Sequence, residues 1–263
     1  MTWKEFKLKI KKRWHYFLAK RESIETYYMT VVDSTKEITT FNYYGHIFHA
    51  RLKNSSDYDM VNQVIVKGEY ALAVSYFKAQ SFEPKVLIDA GSNIGSTAIY
   101  LKHLFPETQI FCIEPDEENF DLLKNNLSKY VNNGSVKLYQ AGLMGKSGLN
   151  LSINTNFRDK SSCARQVVVE QKENRLKSIT IIDLIKEHNL QSIDLLKIDI
   201  EGAEVFLIKN DSNVSFLSIT KCIAIEIHDE YECREKIYEL LIKNNFVLLE
   251  DNETTLAINK SLA

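Results

Sequence analysis

The stretch Val86-Leu-Ile-Asp-Ala-Gly-Ser-Asn-Ile-Gly95 restricts this chain more than any other. Its apolar run, Val86–Ile88, reads as a buried strand. The strand delivers Asp89 into a turn flanked by Gly91 and Gly95. Ser96–Phe105 then follows with Ala98, Leu101 and Phe105 at helical spacing. Strand, glycine turn and helix let a backbone approach a charged small molecule at a helix N-terminus, where a Cβ would block the approach. A second strand, Gln109–Ile113, ends in Glu114, and an acid there can accept both hydroxyls of a ribose. The core therefore reads as a site for a nucleoside cofactor.

From Lys85 the pattern is βαβα. Helix Glu117–Tyr130 carries Phe120, Leu122, Leu123 and Leu127, and strand Val136–Gln140 leads into Ala141-Gly142. A β-rich insertion over about 145–171 follows, with strands Leu149–Ile153 and Gln166–Glu170 around the polar loop Asn154–Ala164. Such a loop either handles substrate or is a hairpin tip. Helix 180–190 opens on Thr180 with Asp183 three positions on, an acidic variant of the capping box. A fourth strand ends at Asp199 in Ile193-Asp-Leu-Leu-Lys-Ile-Asp-Ile-Glu-Gly-Ala-Glu204, and a fifth is Lys221–Asp229. Helix Tyr231–Asn244 and strands Phe246–Glu250 and Thr255–Ile258 close the chain. Five alternating units and a final hairpin predict a parallel sheet with one antiparallel member.

A strand covered on both faces should be apolar throughout. The fourth and fifth break that rule near their carboxyl ends, where open α/β sheets place ligands. Lys197, Asp199 and Glu201 alternate with Ile198 and Ile200, and Glu226 and His228 with Ile225 and Ile227. A structural ion pair such as Lys197–Asp199 accounts for part of this set, but not for His228.

Residues 1–21 hold eight Lys and Arg against Glu5, a net +7, which leaves −9 on the rest of a chain of net charge −2. Trp3, Phe6, Ile10, Trp14, Phe17 and Leu18 form one apolar stripe at helical spacing. A basic amphipathic helix of this kind can lie on an anionic membrane surface, or its stripe can pack on the protein body or a second subunit, as in a homodimer. Residues 22–84 then read as a cover segment: strands Tyr27–Val32, Phe41–Tyr44 and His46–Leu52, then a helix over Asp57–Phe77. Glu69 and Tyr70 sit shortly before the first core strand and either reach its mouth or are a plain surface glutamate and a core tyrosine. Residues 85–263 form the α/β domain that carries the nucleoside site.

The near-neutral charge and acidic body exclude a general phosphate-binding surface, so no nucleic-acid partner is expected. Cys112, Cys163, Cys222 and Cys233 have no metal or CxxC spacing and read as free thiols in a reducing compartment. With no apolar run near ~18 residues and no apolar signal-peptide core, the chain reads as cytoplasmic.

Asp89-Ala-Gly-Ser-Asn-Ile-Gly95, Glu114-Pro115 and Leu195-Leu-Lys-Ile-Asp-Ile-Glu-Gly-Ala-Glu204 together resemble the FkbM family of S-adenosylmethionine-dependent methyltransferases. Asp57 and Glu69-Tyr70 resemble that family's leading segment. The resemblance covers roughly residues 40–250 and leaves out the basic N-terminal stretch. It implies a class I methyltransferase fold, a seven-stranded, mostly parallel sheet with the last strand antiparallel and helices on both faces. It also implies O-methylation of a hydroxyl, with small molecules, sugars, glycans and secondary metabolites as acceptors.

Carried over, Gly91, Ser92, Asn93 and Gly95 contact the methionine part of S-adenosylmethionine. Asp89 orients the turn, Glu114 with Pro115 holds the ribose, Ala141 and Gly142 border the adenine, and Glu69 reaches the cofactor from the cover. Asp199 lies near the sulfonium. A hydroxyl is a weak nucleophile, so a nearby base helps. His228 is the first candidate and Glu201 the second. No metal is demanded by the spacing, although Asp, Glu and His could hold a divalent ion on a sugar diol. A nicotinamide dehydrogenase would need Gly-x-Gly-x-x-Gly, and position 93 is Asn. A nucleobase methyltransferase would be expected to show Asn/Asp-Pro-Pro-aromatic where Asp-Ile-Glu-Gly stands. A binding module without chemistry would not need the strand-end acids.

Overall fold

The computed structural model describes residues 29–35, 37–52, 55–154, 166–207 and 212–262. The basic stripe of residues 1–21, Cys163 and nearly all of the 154–164 loop lie outside the described residues.

Three strands, β1 (Met29–Ser34), β2 (Ile38–Tyr43) and β3 (His46–Arg51), make an antiparallel meander. Helix α1 (Asp57–Val61) runs into one π-turn (Asn62–Val66), and α2 (Ala71–Ala79) follows. The periodicity over 57–77 predicts one helix. The structure breaks it at Gly68–Tyr70, because Gly68 turns the chain with φ +67°.

The main sheet is built from β4 (Val86–Ala90), β5 (Gln109–Ile113) and β6 (Val136–Tyr139), with α3 (Ser96–Leu104), α4 (Glu117–Asn126) and α5 (Ser128–Asn132) between them. The short strands β7 (Gly142–Leu143) and β10 (Ser178–Ile179) pair in parallel, flanking the hairpin of β8 (Asn150–Asn154) and β9 (Gln166–Glu170). Helix α6 (Ile181–His188), β11 (Ile193–Ile198), α7 (Glu204–Leu207), β12 (Thr220–Glu226), α8 (Arg234–Lys243), β13 (Phe246–Asp251) and β14 (Thr254–Asn259) complete the chain. The capping box on α6 is present: the Thr180 hydroxyl accepts from the Asp183 N–H, and the Asp183 carboxylate accepts from the Thr180 N–H.

The seven strands lie in the order β6-β5-β4-β11-β12-β14-β13, and β14 is antiparallel to both neighbours. In each central strand neighbouring residues point to opposite faces, and both faces are buried. Leu87, Ile110, Leu195 and Cys222 join one apolar layer with α2, α3 and the meander's Phe41, Tyr43 and Phe48. Ile88, Phe111, Leu196 and Ile223 join the other, against α6 and α8.

Two polar ties fix the meander beside the glycine turn. The Asn126 side chain donates to the carbonyls of His49 (2.9 Å) and Ile94 (2.8 Å) and accepts from the His49 N–H (2.8 Å). Arg51 grips the buried Asp57 through two side-chain hydrogen bonds of 2.9 Å and reaches Asn119 on α4 at 2.5 Å. These bonds bring Met60 of the leading segment to the wall of the central cleft. Among the described residues no helix is long and apolar enough to cross a membrane, and Cys112, Cys222 and Cys233 are buried free thiols.

A candidate active site at the carboxyl ends of the strands

A cleft of about 540 Å³ opens over the carboxyl ends of β4, β5 and β11. The β4–α3 turn forms its floor. The N–H groups of Gly91 and Ser92 both donate to the Ile113 carbonyl at 3.0 Å, which pins the turn to β5. Gly91 has φ +78°, and a Cβ there would stand 1.7 Å from the Asp199 carbonyl oxygen. Only glycine allows β4 and β11 to approach so closely. Asn93 also has positive φ, +49°, which asparagine tolerates.

Gly91, Asn93, Glu114, Pro115, Asp199 and Glu201 all line this cleft. Other expected residues sit behind it. Asp89 is fully buried and Ser92 donates to its carbonyl at 2.7 Å. Gly95 faces Leu123 and Leu127, so its missing Cβ serves helix packing. Ala141 and Gly142 stop one residue short of the wall, which Leu143 supplies with Val167. Glu69 lines a smaller cleft of about 200 Å³ next to Thr254, whose hydroxyl donates to it at 3.2 Å. Sequence spacing gives no hint of Met60, Leu143 and Val167, which arrive from distant segments.

Glu114 is 4% exposed. One carboxylate oxygen accepts from the Asn93 N–H (2.8 Å) and the other from the Asp116 N–H (3.0 Å). Burial pushes its pKa up to about 7 against those two bonds. The Asn93 side-chain oxygen is buried in the cleft wall with no hydrogen-bond partner among the described residues.

Lys197 occupies the centre. Its ammonium donates to the carbonyls of Gly91 (2.6 Å) and Ala90 (3.2 Å) and lies 3.4 Å from Asp89 and 3.6 Å from Asp199. Burial disfavours the ammonium, but Asp89, Asp199 and Glu69 outweigh it and hold the charge firmly.

The second cluster lies beyond Asp199. β11 ends at Ile198, so Glu201 stands on the following turn with φ +52° rather than in the strand alternation the sequence suggests. His228 follows the end of β12 and is 2% exposed. Its Nδ1–H donates to the buried Glu204 at 2.9 Å. Its Nε2 lies 3.5 Å from Glu201 and 3.7 Å from Glu226. Burial opposes the imidazolium, yet the Glu204 hydrogen bond and the charges of Glu204, Asp199 and Glu201 push its pKa up to about 9. Burial and then Asp199 push Glu226 up to about 8, and the same two causes push Glu69 up to about 7.

The sheet order, the inserted antiparallel strand and the cleft over the strand ends define a class I methyltransferase fold. The model of the Methyltransferase FkbM domain matches residues 89–248, more than half of the chain. The protein belongs to the FkbM family of methyltransferases. It is similar to methyltransferase sdnD of Sordaria araneosa, with 26% identity over 194 residues covering 63% of this chain and 74% of that protein. Hexuronic acid methyltransferase AglP of Haloferax volcanii is 27% identical over 148 residues, covering 56% of this chain and 57% of its own length. 2-O-methyltransferase NoeI of Sinorhizobium fredii is 24% identical over 160 residues, 55% of this chain and 64% of its own. The chain thus spans less than two thirds of AglP and of NoeI. A solved FkbM methyltransferase from Methylobacillus flagellatus aligns with TM-score 0.43 and 17% identity over 75% of this chain and 52% of that one.

Proposed function

We propose that this chain methylates a hydroxyl from S-adenosylmethionine, the acceptor being a sugar of a glycan, glycolipid or secondary metabolite. One observation carries the reading. A single cleft is lined by Glu114, an acid suited to ribose hydroxyls, and by Asp199 and Glu201, carboxylates suited to a cationic sulfonium. The chemistry of AglP and NoeI, named as methyltransferases of a hexuronic acid and of a 2-O position, supports a sugar hydroxyl.

The residues present fit the cofactor. Glu114 keeps carboxylate lone pairs for ribose hydroxyls beyond the two backbone bonds it accepts, and the partnerless Asn93 oxygen offers an acceptor to a donor group. When bound, S-adenosylmethionine supplies an electrophilic methyl on a positively charged sulfur. Asp199, held by Lys197, sets a negative potential on that wall. Transfer is an in-line displacement, so the walls chiefly align the acceptor oxygen. The hydroxyl proton leaves to the strand-end cluster. Glu201 lies on the cleft wall and is 17% exposed, so it takes the proton directly. His228, at 2%, stands behind it and stabilises the carboxylate–imidazole pair.

Incubation with methyl-labelled S-adenosylmethionine and glycan or glycolipid extracts, read by mass, tests the reading. The expected product is a mono-O-methylated sugar, lost in Glu201→Gln. Label appearing only on protein or nucleic acid would contradict it.

A further inference from the structure

We propose that Asp199, Glu226 and His228 form a divalent-cation site beside the acceptor end of the cleft. The inference rests on the methyl-transfer reading and deepens it. One ligand atom from each of the three residues lies within 4.8 Å of the others. Metal–ligand bonds of about 2.1 Å place cis ligands about 3.0 Å and trans ligands about 4.2 Å apart. The His228 Nε2–Glu226 separation of 3.7 Å lies between those two values.

The buried imidazole supplies the independent observation. His228 Nε2 makes no hydrogen bond among the described residues, although the side chain is 2% exposed. In the neutral ring Nδ1–H is committed to Glu204, so the Nε2 lone pair faces Glu201 at 3.5 Å and Glu226 at 3.7 Å, a repulsive arrangement. As an imidazolium the ring faces those carboxylates at ion-pair range with no Nε2–H hydrogen bond among the described residues. A divalent cation that displaces the Nε2 proton engages the lone pair and the carboxylates together. Lys197 reaches one of the three, Asp199, at 3.6 Å, but its ammonium is hydrogen-bonded to the Gly91 and Ala90 carbonyls and lies beside Asp89 rather than between Glu226 and His228.

The surrounding groups suit a metal. Glu204 orients the ring through Nδ1, the carboxylate–histidine arrangement that fixes the tautomer of a metal-ligating imidazole. One imidazole with two carboxylates is a mixed donor set that accepts Mn²⁺ readily. Of the three, Asp199 lines the cleft, so a cation held by it borders the space an acceptor would enter. The ligand class is therefore a sugar with one or two free hydroxyls. Coordination lowers the hydroxyl's pKa, its proton passes to the Glu201 carboxylate, and the cation carries the charge of the remaining alkoxide.

Titration of the full chain with Mn²⁺, following the free ion by electron paramagnetic resonance, tests the site. The wild type should bind one Mn²⁺ saturably. Glu226→Gln, which keeps the side chain's shape, should weaken binding at least tenfold, as should Asp199→Asn. Calorimetry with S-adenosylmethionine on the same Glu226→Gln protein should match the wild type, which shows that the variant is folded. Absence of saturable Mn²⁺ binding by the wild type, or equal binding by Glu226→Gln, overturns the site. If Mn²⁺ binds as described while S-adenosylmethionine does not, the cation site stands and the methyl-transfer reading falls.

Discussion

Lys197 donates a 2.6 Å hydrogen bond from β11 to the carbonyl of Gly91, the first residue of the β4–α3 turn. The same ammonium touches the Ala90 carbonyl, Asp89 and Asp199. A lysine that is almost fully buried thus binds two strand ends together and neutralises the acids between them. A buried cation so placed is costly to desolvate and strongly destabilising to remove, because the acids it leaves have no compensation.

Lys197→Met should therefore cost about 3–5 kcal/mol of stability in denaturant unfolding. Adding Asp89→Asn to it should recover part of the loss. A Lys197→Met protein within about 0.5 kcal/mol of the wild type, the range of neutral surface changes, would show that the ammonium is not what holds the turn.

Gly91→Ala confronts both a positive φ and a Cβ 1.7 Å from the Asp199 carbonyl oxygen. Backbone atoms cannot yield as a flexible side chain does. Thermal unfolding should show a loss of at least about 2–4 kcal/mol together with loss of cofactor binding. Near-wild-type stability would mean that β4 and β11 separate easily at their ends.

Glu114 gives the cofactor-free protein a pH dependence of known sign. Its pKa rises from 4.5 unfolded to about 7 folded, chiefly through burial. The folded state therefore binds more protons than the unfolded state between those values. Its contribution is fully present below about pH 4.5 and is lost as pH rises through 7. At about 1.4 kcal/mol per pKa unit, the loss is at most about 3.5 kcal/mol. Glu114→Gln should flatten this slope in melts from pH 4.5 to 8. Parallel curves for the two proteins would contradict the assignment.

The strand–turn–helix, the strand-end acids and the closing hairpin were legible because buried parallel strands admit polar residues only at their ends. Asp199, Glu226 and His228 stood out against Ile225 and Ile227 for that reason. Glu201 was misplaced by the same logic. Its period matches β11, but the strand stops at Ile198 and φ +52° carries Glu201 onto a turn. The β7–β10 pair was invisible, since two-residue strands have no period. The cleft wall contributed by Met60 depends on Arg51–Asp57 and Arg51–Asn119 contacts, the second between residues 68 apart in sequence. The role of Glu204 in holding His228 comes from the short helix after β11 meeting the end of β12, a contact that no local pattern encodes.

Glu201 and His228 should separate kinetically from the cofactor pocket. Glu201→Gln should lower turnover on an identified acceptor by roughly 10²–10⁴, the usual contribution of a positioned base. His228→Gln should also lower turnover. Neither should change S-adenosylmethionine affinity by more than about twofold, a difference of ~0.4 kcal/mol. Unchanged turnover in both variants would remove this cluster from proton transfer.

Calorimetry with S-adenosylmethionine tests the central claim most directly. Wild-type protein should bind one cofactor per chain, and Glu114→Ala should bind at least tenfold more weakly, by about 1.5–3 kcal/mol for a charge-assisted hydrogen-bond acceptor. The absence of measurable binding to the wild type, or equal affinity in Glu114→Ala, would contradict the assignment of the cleft as the cofactor site.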